Sequence, residues 1–274
     1  MIRNRKMDNN SLNEVQAASK KIVEELIKVC RENKIRYYAL GGTLLGCVRH
    51  KGFIPWDDDI DLGFPREDYE RLLKILEQNK FTLTTYHTDD THISYFAKLT
   101  NDEVKVIKHR GEHDVELSVW VDLFPLDGLP NNKLLRKIHI NRIMFQKLLY
   151  KFSLIDNIMY DSHRGKMHNL LIWLGKTLKM NKVLSYKKIL DKIDRLLKKY
   201  KYSDSKYVAN LMGAWSEREI FPRAYYDKAV KYPFEDITLV GPAAYDKILT
   251  QMYGDYMTPP AEDDRNHHNT EISK

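Results

Sequence analysis

The segment GFIPWDDDIDLGF, residues 52–64, places four acidic side chains within five positions, namely Asp57, Asp58, Asp59 and Asp61. Carboxylates this close repel one another, and the apolar and aromatic residues on both sides indicate that the segment is folded rather than freely solvated. Folding it costs free energy unless a counter-charge is present. The segment is therefore expected to fold with a counter-charge beside it.

The order Asp-Ile-Asp-Leu at residues 59–62 predicts a strand over residues 59–63 rather than a solvated turn. Successive side chains of a strand point to opposite faces, so Asp59 and Asp61 share one face while Ile60 and Leu62 point into the core. Two carboxylates on one face form an oxygen clamp of the kind that Mg²⁺ or Mn²⁺ binds together with phosphate oxygens. The counter-charge is therefore predicted to be a divalent metal ion.

A third carboxylate is expected from the segment SVWVDLFPLDG, in which Asp122 ends an apolar strand. The alternative for Asp122 is a salt-bridged strand end without a role in chemistry. Upstream, Gly41, Gly42 and Thr43 follow a predicted strand at residues 35–40, and a short helix is predicted to start at Thr43. Backbone N–H groups at such a turn and helix start can receive a phosphate.

Arg49 and His50 lie between this glycine turn and the acidic clamp. A role in facing phosphate and a plain surface position are both open for them. The aromatic residues Trp215, Tyr207, Tyr225 and Tyr226 cluster later in the chain. They are candidates for binding a cationic head group, with core packing as the alternative.

Three regions follow from the pattern of the 274 residues. Residues 1–130 mix strands and helices, including a helix at 12–32 with a capping box that starts at Ser11. Residues 131–202 are helical and basic, with 18 Lys or Arg against 4 Asp or Glu, a local net charge of +14. Residues 203–274 form a last unit that packs on the first. We predict an α+β fold whose mixed sheet is flanked by helices, with a mostly helical, basic C-terminal half.

Composition restricts the class of protein without identifying its partner. A basic segment suits nucleic acid, anionic lipid or an anionic substrate equally well. The chain shows neither a secretory signal nor an apolar run of transmembrane length, so a cytoplasmic location is expected. Cys30 and Cys47 alone provide neither a disulfide framework nor a zinc site of repeated cysteine pairs.

Three motifs carry a resemblance to a known family: GGTLLGCVRHKGFIPWDDDIDLGFPREDYERL, VDLFPLDGLP and YGDYMTPP. The chain resembles the LicD family, which includes bacterial phosphocholine transferases and is related to fukutin-type transferases and to the nucleotidyltransferase superfamily. The resemblance implies a nucleotidyltransferase-like core. It also implies a glycine turn at Gly41 and Gly42, a metal-binding pair at Asp59 and Asp61, a third carboxylate at Asp122, and a site wall with Arg49, His50 and Trp56.

The implied reaction is the metal-dependent transfer of phosphocholine, or a similar phospho-alcohol, from a CDP-activated donor such as CDP-choline to a sugar hydroxyl. The acceptor would be an anionic cell-surface glycan, a lipopolysaccharide or a lipid-linked teichoic acid precursor, and CMP would be released. The basic helices would then hold acceptor phosphates or dock at the inner face of the membrane, and no nucleic acid partner is expected.

Two other functions stay open at this point. The same clamp would serve a nucleotidyltransferase that transfers a nucleoside monophosphate to a small molecule or RNA. A third interpretation is a non-catalytic nucleic-acid-binding protein that uses the basic helices. Release of CMP from CDP-choline, release of pyrophosphate from a nucleoside triphosphate, and salt-sensitive nucleic-acid binding distinguish the three.

Overall fold

The centre of the molecule is a mixed sheet built on two long antiparallel strands, β4 (Ala97–Arg110) and β5 (His113–Gly128). The computed structural model describes residues 7–78, 82–110, 113–157, 172–173, 175–262, 265 and 270–273. The other strands are β1 (Tyr38–Ala39), β2 (Asp61–Pro65), β3 (Thr82–Thr84), β6 (Tyr207–Ala209), β7 (Ile220–Pro222), β8 (Ala229–Phe234), β9 (Ile237–Pro242) and β10 (Thr270–Ile272). The strand order is β1-β2-β5-β4-β10, β3 also pairs with β4, β6 and β7 continue from β5, and β8 and β9 form a separate hairpin.

Helices flank this sheet and supply most of the described residues between β5 and β6. They are α1 (Asn9–Glu32), α2 (Gly41–Arg49), α3 (Arg66–Glu77), α4 (Lys133–Ser153), α5 (Met180–Val183), α6 (Tyr186–Leu197) and α7 (Tyr245–Tyr253). Short 3₁₀ turns occupy Ile155–Asn157, Ser216–Glu219 and Arg223–Tyr226. The predicted α+β class, with a mixed sheet and helices around it, is confirmed. The division of the chain after residues 130 and 202 stays a prediction.

Apolar side chains from the sheet and the first helices form the main core. The apolar face of α1, including Val15, Ile22 and Leu26, is buried in it as the helical period predicts. A second apolar cluster joins α4 to α6 through Ile143 and Ile193, and it includes side chains near the end of β5. The basic helices are therefore held to the sheet by packing of their inner faces.

An ion pair inside the protein links the start of α3 to the end of β5. Arg66 Nε donates to Asp127 Oδ1 at 2.6 Å and Arg66 Nη2 to Asp127 Oδ2 at 2.8 Å, while Tyr95 Oη accepts a third bond from the same guanidinium. Arg66 and Asp127 are both buried. This bidentate geometry gives each charge the partner that a buried ion requires.

Several predicted boundaries are wrong in ways that have a local cause. Helix α1 begins before Ser11, because the Asp8 carboxylate accepts the Ser11 backbone N–H at 2.9 Å and caps the helix instead. Alternation at residues 93–99 and 103–108 predicts two strands, but they are one strand, β4, with an irregular register between Asn101 and Lys105. The helical period over residues 186–202 predicts a helix to residue 202, whereas the helix ends at Leu197. A further helix is predicted at 166–178, and His267 and His268 are predicted to be solvated; most of that helix and both histidines lie outside the described residues.

Candidate active site

Three charged side chains form a row across neighbouring strands of the sheet. Strand β2 runs parallel to β5, and this register pairs Asp61 with Asp122. Strand β4 lies on the other side of β5, where Lys98 pairs with Asp122. Residues directly opposite on neighbouring strands point to the same face. The sheet thus places two carboxylates and one ammonium group side by side.

Asp59 joins this row from just outside the strand. The prediction that residues 59–63 form a strand is wrong at its start, because β2 begins at Asp61. One carboxylate oxygen from each of Asp59, Asp61 and Asp122 nevertheless lies within 4.8 Å of the other two. Asp57 and Asp58 form a second group of the same span with Asp59. Five carboxylates therefore surround the start of β2.

Burial and mutual repulsion perturb this cluster. Exclusion of water raises the pKa of Asp61 well above its ordinary value, and the negative charges of Asp59 and Asp122 raise it further. Asp122 is buried, and its Oδ1 has no hydrogen-bond partner among the residues that the structure describes. Lys98 Nζ, 3.4 Å from that oxygen, forms an ion pair with it rather than a hydrogen bond. The arrangement favours the binding of additional positive charge.

Lys98 is a site residue that the sequence did not reveal. It is buried in β4, and its ammonium lies 3.5 Å from the centroid of the Trp120 ring as well as beside Asp122. Trp120 Nε1 in turn donates to Asp122 Oδ2 at 3.2 Å. Burial lowers the pKa of Lys98 to about 8, and the Asp122 carboxylate opposes that change. A lysine inside the apolar run YFAKL was the available signal for this position.

The glycine turn lies directly against the acidic side chains. Gly41 has a φ of +49°, and a Cβ added there would be 3.1 Å from Asp61 Oδ2. A Cβ on Gly42 would be 2.7 Å from Asp57 Oδ2. Helix α2 begins at Gly41 rather than at Thr43, with Leu40 as an N-cap that contributes no side-chain hydrogen bond. The bare backbone of the first helical turn therefore borders the cluster.

Thr43 supports the cluster from behind. Its hydroxyl oxygen accepts the backbone N–H of Asp61 at 2.8 Å, and the side chain is buried. Because that hydrogen bond fixes the first residue of β2, Thr43 orients Asp61. It is absent from the residues that line the cavity described below.

Arg49, His50 and Trp56 form one connected group at the rim. Arg49 Nη1 donates to the Tyr256 carbonyl at 2.6 Å, and Arg49 Nε donates to His50 Nε2 at 2.9 Å. The His50 ring meets Trp56 edge-on, with centroids 6.2 Å apart. Burial and the nearby Arg49 charge lower the pKa of His50. Arg49 and Trp56 line the cavity, whereas His50 supports Arg49.

A cavity of 1020 Å³ opens in front of these residues. Its walls combine three kinds of side chain, which are the carboxylates already described, cations and aromatic rings. The cations are Arg49, Lys98, Lys108, Lys147 and Lys151, and the aromatic residues are Trp56, Phe96, Phe124, Trp215, Tyr253 and Tyr256. Of the predicted head-group candidates, Trp215 lines the cavity, while Tyr226 is buried in the core and Tyr207 packs under the Arg136 guanidinium.

The basic helix α4 and the C-terminal unit meet at one wall of the cavity. Lys147 Nζ donates to the carbonyls of Leu211 and Gly213 at 2.9 and 3.1 Å and to Ser216 Oγ at 2.6 Å. Burial lowers the pKa of Lys147 to about 8 and raises that of Glu219, on the same wall, to about 7. Lys147 therefore anchors the segment that carries Trp215.

Comparison with known proteins supports a relationship that the sequence motifs predicted. Residues 34–153 match the family model described as "LicD/FKTN/FKRP, nucleotidyltransferase domain". Over 272 residues the chain is 28% identical to lipopolysaccharide cholinephosphotransferase LicD of Haemophilus influenzae, an alignment that covers 94% of this chain and 96% of that protein. The predicted resemblance is confirmed.

Shorter segments of the chain are similar to other proteins. The chain is 56% identical over 34 residues to ribitol 5-phosphate transferase FKRP of Homo sapiens, which is 12% of this chain and 7% of that protein. It is 44% identical over 57 residues, 21% of each chain, to the uncharacterized protein RP689 of Rickettsia prowazekii.

Proposed function

Because residues 34–153 match the model of the LicD/FKTN/FKRP nucleotidyltransferase domain, we propose that this protein transfers a phospho-alcohol group to a glycan. The proposed group is phosphocholine or a close analogue, the donor is a CDP-activated alcohol such as CDP-choline, and CMP is the leaving group. The proposed acceptor is a sugar hydroxyl of a lipopolysaccharide or of a teichoic acid precursor. Similarity over nearly the full length to a named cholinephosphotransferase supports phosphocholine as the first candidate.

One observation carries the proposal from the structural side. The carboxylates of Asp59, Asp61 and Asp122 converge within 4.8 Å, and Asp61 and Asp122 are paired across the parallel strands β2 and β5. They open into a cavity that also holds several cations. A site with both charges suits a diphosphate whose own charge must be cancelled during group transfer.

The residues present fit a divalent metal ion. Carboxylate oxygens are the ligands that Mg²⁺ and Mn²⁺ prefer, and the buried Asp122 Oδ1 lacks a hydrogen-bond partner among the described residues. We propose that Asp59, Asp61 and Asp122 hold Mg²⁺, with Mn²⁺ as the alternative. When bound, the ion supplies charge neutralisation at the donor diphosphate.

Groups of the chain itself have separate tasks in this proposal. The Lys98 ammonium offsets part of the charge of Asp122 and faces the cavity. Backbone N–H groups at Gly41 and Gly42 and the Arg49 guanidinium bind phosphate oxygens of the donor. The Asp122 carboxylate orients the acceptor hydroxyl and takes up its proton.

Aromatic side chains of the cavity suit a cationic head group. The Arg265 guanidinium carbon lies 4.2 Å from the centroid of the Trp56 ring, and the Arg218 guanidinium carbon lies 5.3 Å from that of Trp215. Both rings thus already hold a cation in cation–π geometry. We propose that one of these two walls receives the trimethylammonium group of choline.

The test is to incubate the purified protein with CDP-choline, Mg²⁺ and a candidate acceptor glycan, and to measure CMP by chromatography. We expect CMP release that depends on acceptor and metal, and a loss of about 100-fold or more in Asp61→Asn and Asp122→Asn. Pyrophosphate release from a nucleoside triphosphate would instead identify a nucleotidyltransferase. Turnover that is unchanged in both variants would exclude this site as the catalytic centre.

A further inference from the structure

Exposed apolar side chains are concentrated in one part of the protein. Ten large hydrophobic residues are exposed in the described part of the chain, and eight of them lie between residues 134 and 183. These eight are Leu134, Leu135, Ile138, Phe145, Leu148, Trp173, Leu178 and Val183. A concentration of this kind marks an interaction surface, whereas single exposed apolar residues do not.

Four of these eight residues form a stripe along α4, which we call the α4 stripe: Leu134, Ile138, Phe145 and Leu148. Their spacing of four, seven and three residues puts them on one face of the helix. Phe145 is 57% exposed and Leu134 is 67% exposed. The opposite face, with Ile140 and Ile143, is buried against α6. Helix α4 therefore has two apolar faces, and only one of them packs within the described structure.

The exposed face of α4 consists of other residues than the sequence pattern predicts. The sequence pattern of this helix predicts an outer surface of Phe145, Leu148, Leu149 and Phe152 beside Arg142, Lys147 and Lys151. Leu149 is half-buried and packs on the cluster between α4 and α6, and Phe152 is half-buried as well. Lys147, which the sequence assigned to the same surface, points inward to the cavity wall.

Positive charge surrounds the α4 stripe. Helix α4 contains six Lys or Arg and no Asp or Glu, and Lys133, Lys137 and Arg142 are exposed beside the stripe. A shallow groove of 420 Å³ between α4 and α6 adds Lys192 to this surface. The segment that follows has the same character, with Trp173, Leu178 and Val183 interspersed with Lys176, Lys179 and Lys182.

We propose that the α4 stripe and its basic border dock this protein on the surface of an anionic lipid bilayer. Apolar side chains inserted at the level of the head groups, with Lys and Arg on anionic phosphates, are the pattern of an interfacial amphipathic helix. A second copy of this chain fits less well, because two cationic borders would face each other. A soluble polyanion would use the charges but not the apolar side chains.

Docking in this way would bring the cavity close to the bilayer. Lys147 and Lys151 of the same helix line the cavity, so one helix diameter, about 10 Å, separates the cavity wall from the stripe. Among the described residues no helix has the length and apolarity to cross a bilayer. The proposal does not depend on the proposed reaction, since the stripe contains no residue of the acidic site.

The test is co-sedimentation of the full chain with phosphatidylcholine vesicles, with and without phosphatidylglycerol. The apolar variant is Ile138→Ser with Phe145→Ser, and the charge variant is Lys137→Gln with Arg142→Gln. The matched control is Lys21→Gln with Lys28→Gln on α1, whose side chains are 66% and 54% exposed. Thermal melts of all the proteins check that each variant is folded.

We expect binding to the anionic vesicles only. The charge variant should bind about 30-fold more weakly, since each charge near the surface contributes roughly a fivefold factor. The apolar variant should lose tenfold or more, and the control pair should change little. The proposal is overturned by equal binding to neutral vesicles, by no binding, or by folded variants that bind like the wild type. Sedimentation velocity tests the alternative of a second copy. If the wild type is a dimer that does not bind vesicles, and the apolar variant is a monomer, the stripe is a dimer interface instead.

Discussion

Replacing Asp61 by asparagine should stabilise the protein when no divalent cation is present. One of its carboxylate oxygens lies within 4.8 Å of an oxygen of Asp59 and an oxygen of Asp122. At that separation each pair of full charges repels by about 3 kcal/mol for an effective dielectric constant of about 20. Burial raises the pKa of Asp61, which favours the protonated carboxyl and makes the gain smaller. We expect a net increase of about 1–3 kcal/mol in the free energy of unfolding at neutral pH.

The pH dependence of this difference has a defined sign. Because the pKa of Asp61 is higher in the folded state than its ordinary value, folding favours the protonated form. Its stabilising contribution is complete below the ordinary pKa of about 4 and is lost as pH rises through the folded value. The advantage of Asp61→Asn should therefore grow with pH from mildly acidic to neutral conditions.

Urea denaturation in EDTA measures the effect, and Asp127→Asn is the matched control. Asp127 is also a buried carboxylate, but Arg66 compensates its charge with two hydrogen bonds. Its removal should cost about 3–5 kcal/mol, the opposite sign. Added Mg²⁺ should then stabilise the wild type more than Asp61→Asn. If Asp61→Asn proved less stable than the wild type in EDTA, the reasoning that carboxylate repulsion is stored at this site would be refuted.

Three further predictions concern the walls of the cavity. Lys98→Met should lower CMP release by about 100-fold while Lys105→Met, on the same strand, should not, because only Lys98 pairs with Asp122. Lys147→Met should destabilise the protein by about 2–3 kcal/mol in urea titrations, since it leaves the acceptors on Leu211 and Gly213 unpaired. Glu219 has a pKa raised by burial to about 7, so stability should fall by about 3 kcal/mol as pH rises from 4.5 to 7. Glu219→Gln should remove that slope in melts across the range, and an unchanged slope would contradict the assignment.

The acidic residues and the glycine turn of the candidate site could be predicted from the sequence alone. The acidic cluster, the glycine turn and Asp122 each stand in a motif whose local pattern has a direct physical meaning. Fold class followed from the same kind of evidence, because alternation and helical period are local properties. The residues at which elements begin did not follow from these local patterns. Asp8 rather than Ser11 caps α1, since a cap depends on which nearby side chain reaches the free N–H groups.

Tertiary structure alone decided which residues face one another across the sheet. Asp61, Asp122 and Lys98 are distant in the chain, and the registers of β2 with β5 and of β4 with β5 bring them into one row. Strand register is set by pairing between remote segments, and a shift of one residue would turn every side chain to the other face. The same holds for α4, whose period reveals an apolar helix but not which of its two faces α6 covers. The sequence by itself identified the acidic residues and the glycine turn of the candidate site, because their patterns are local, and the packing of remote segments determined where each charge and each exposed face lies.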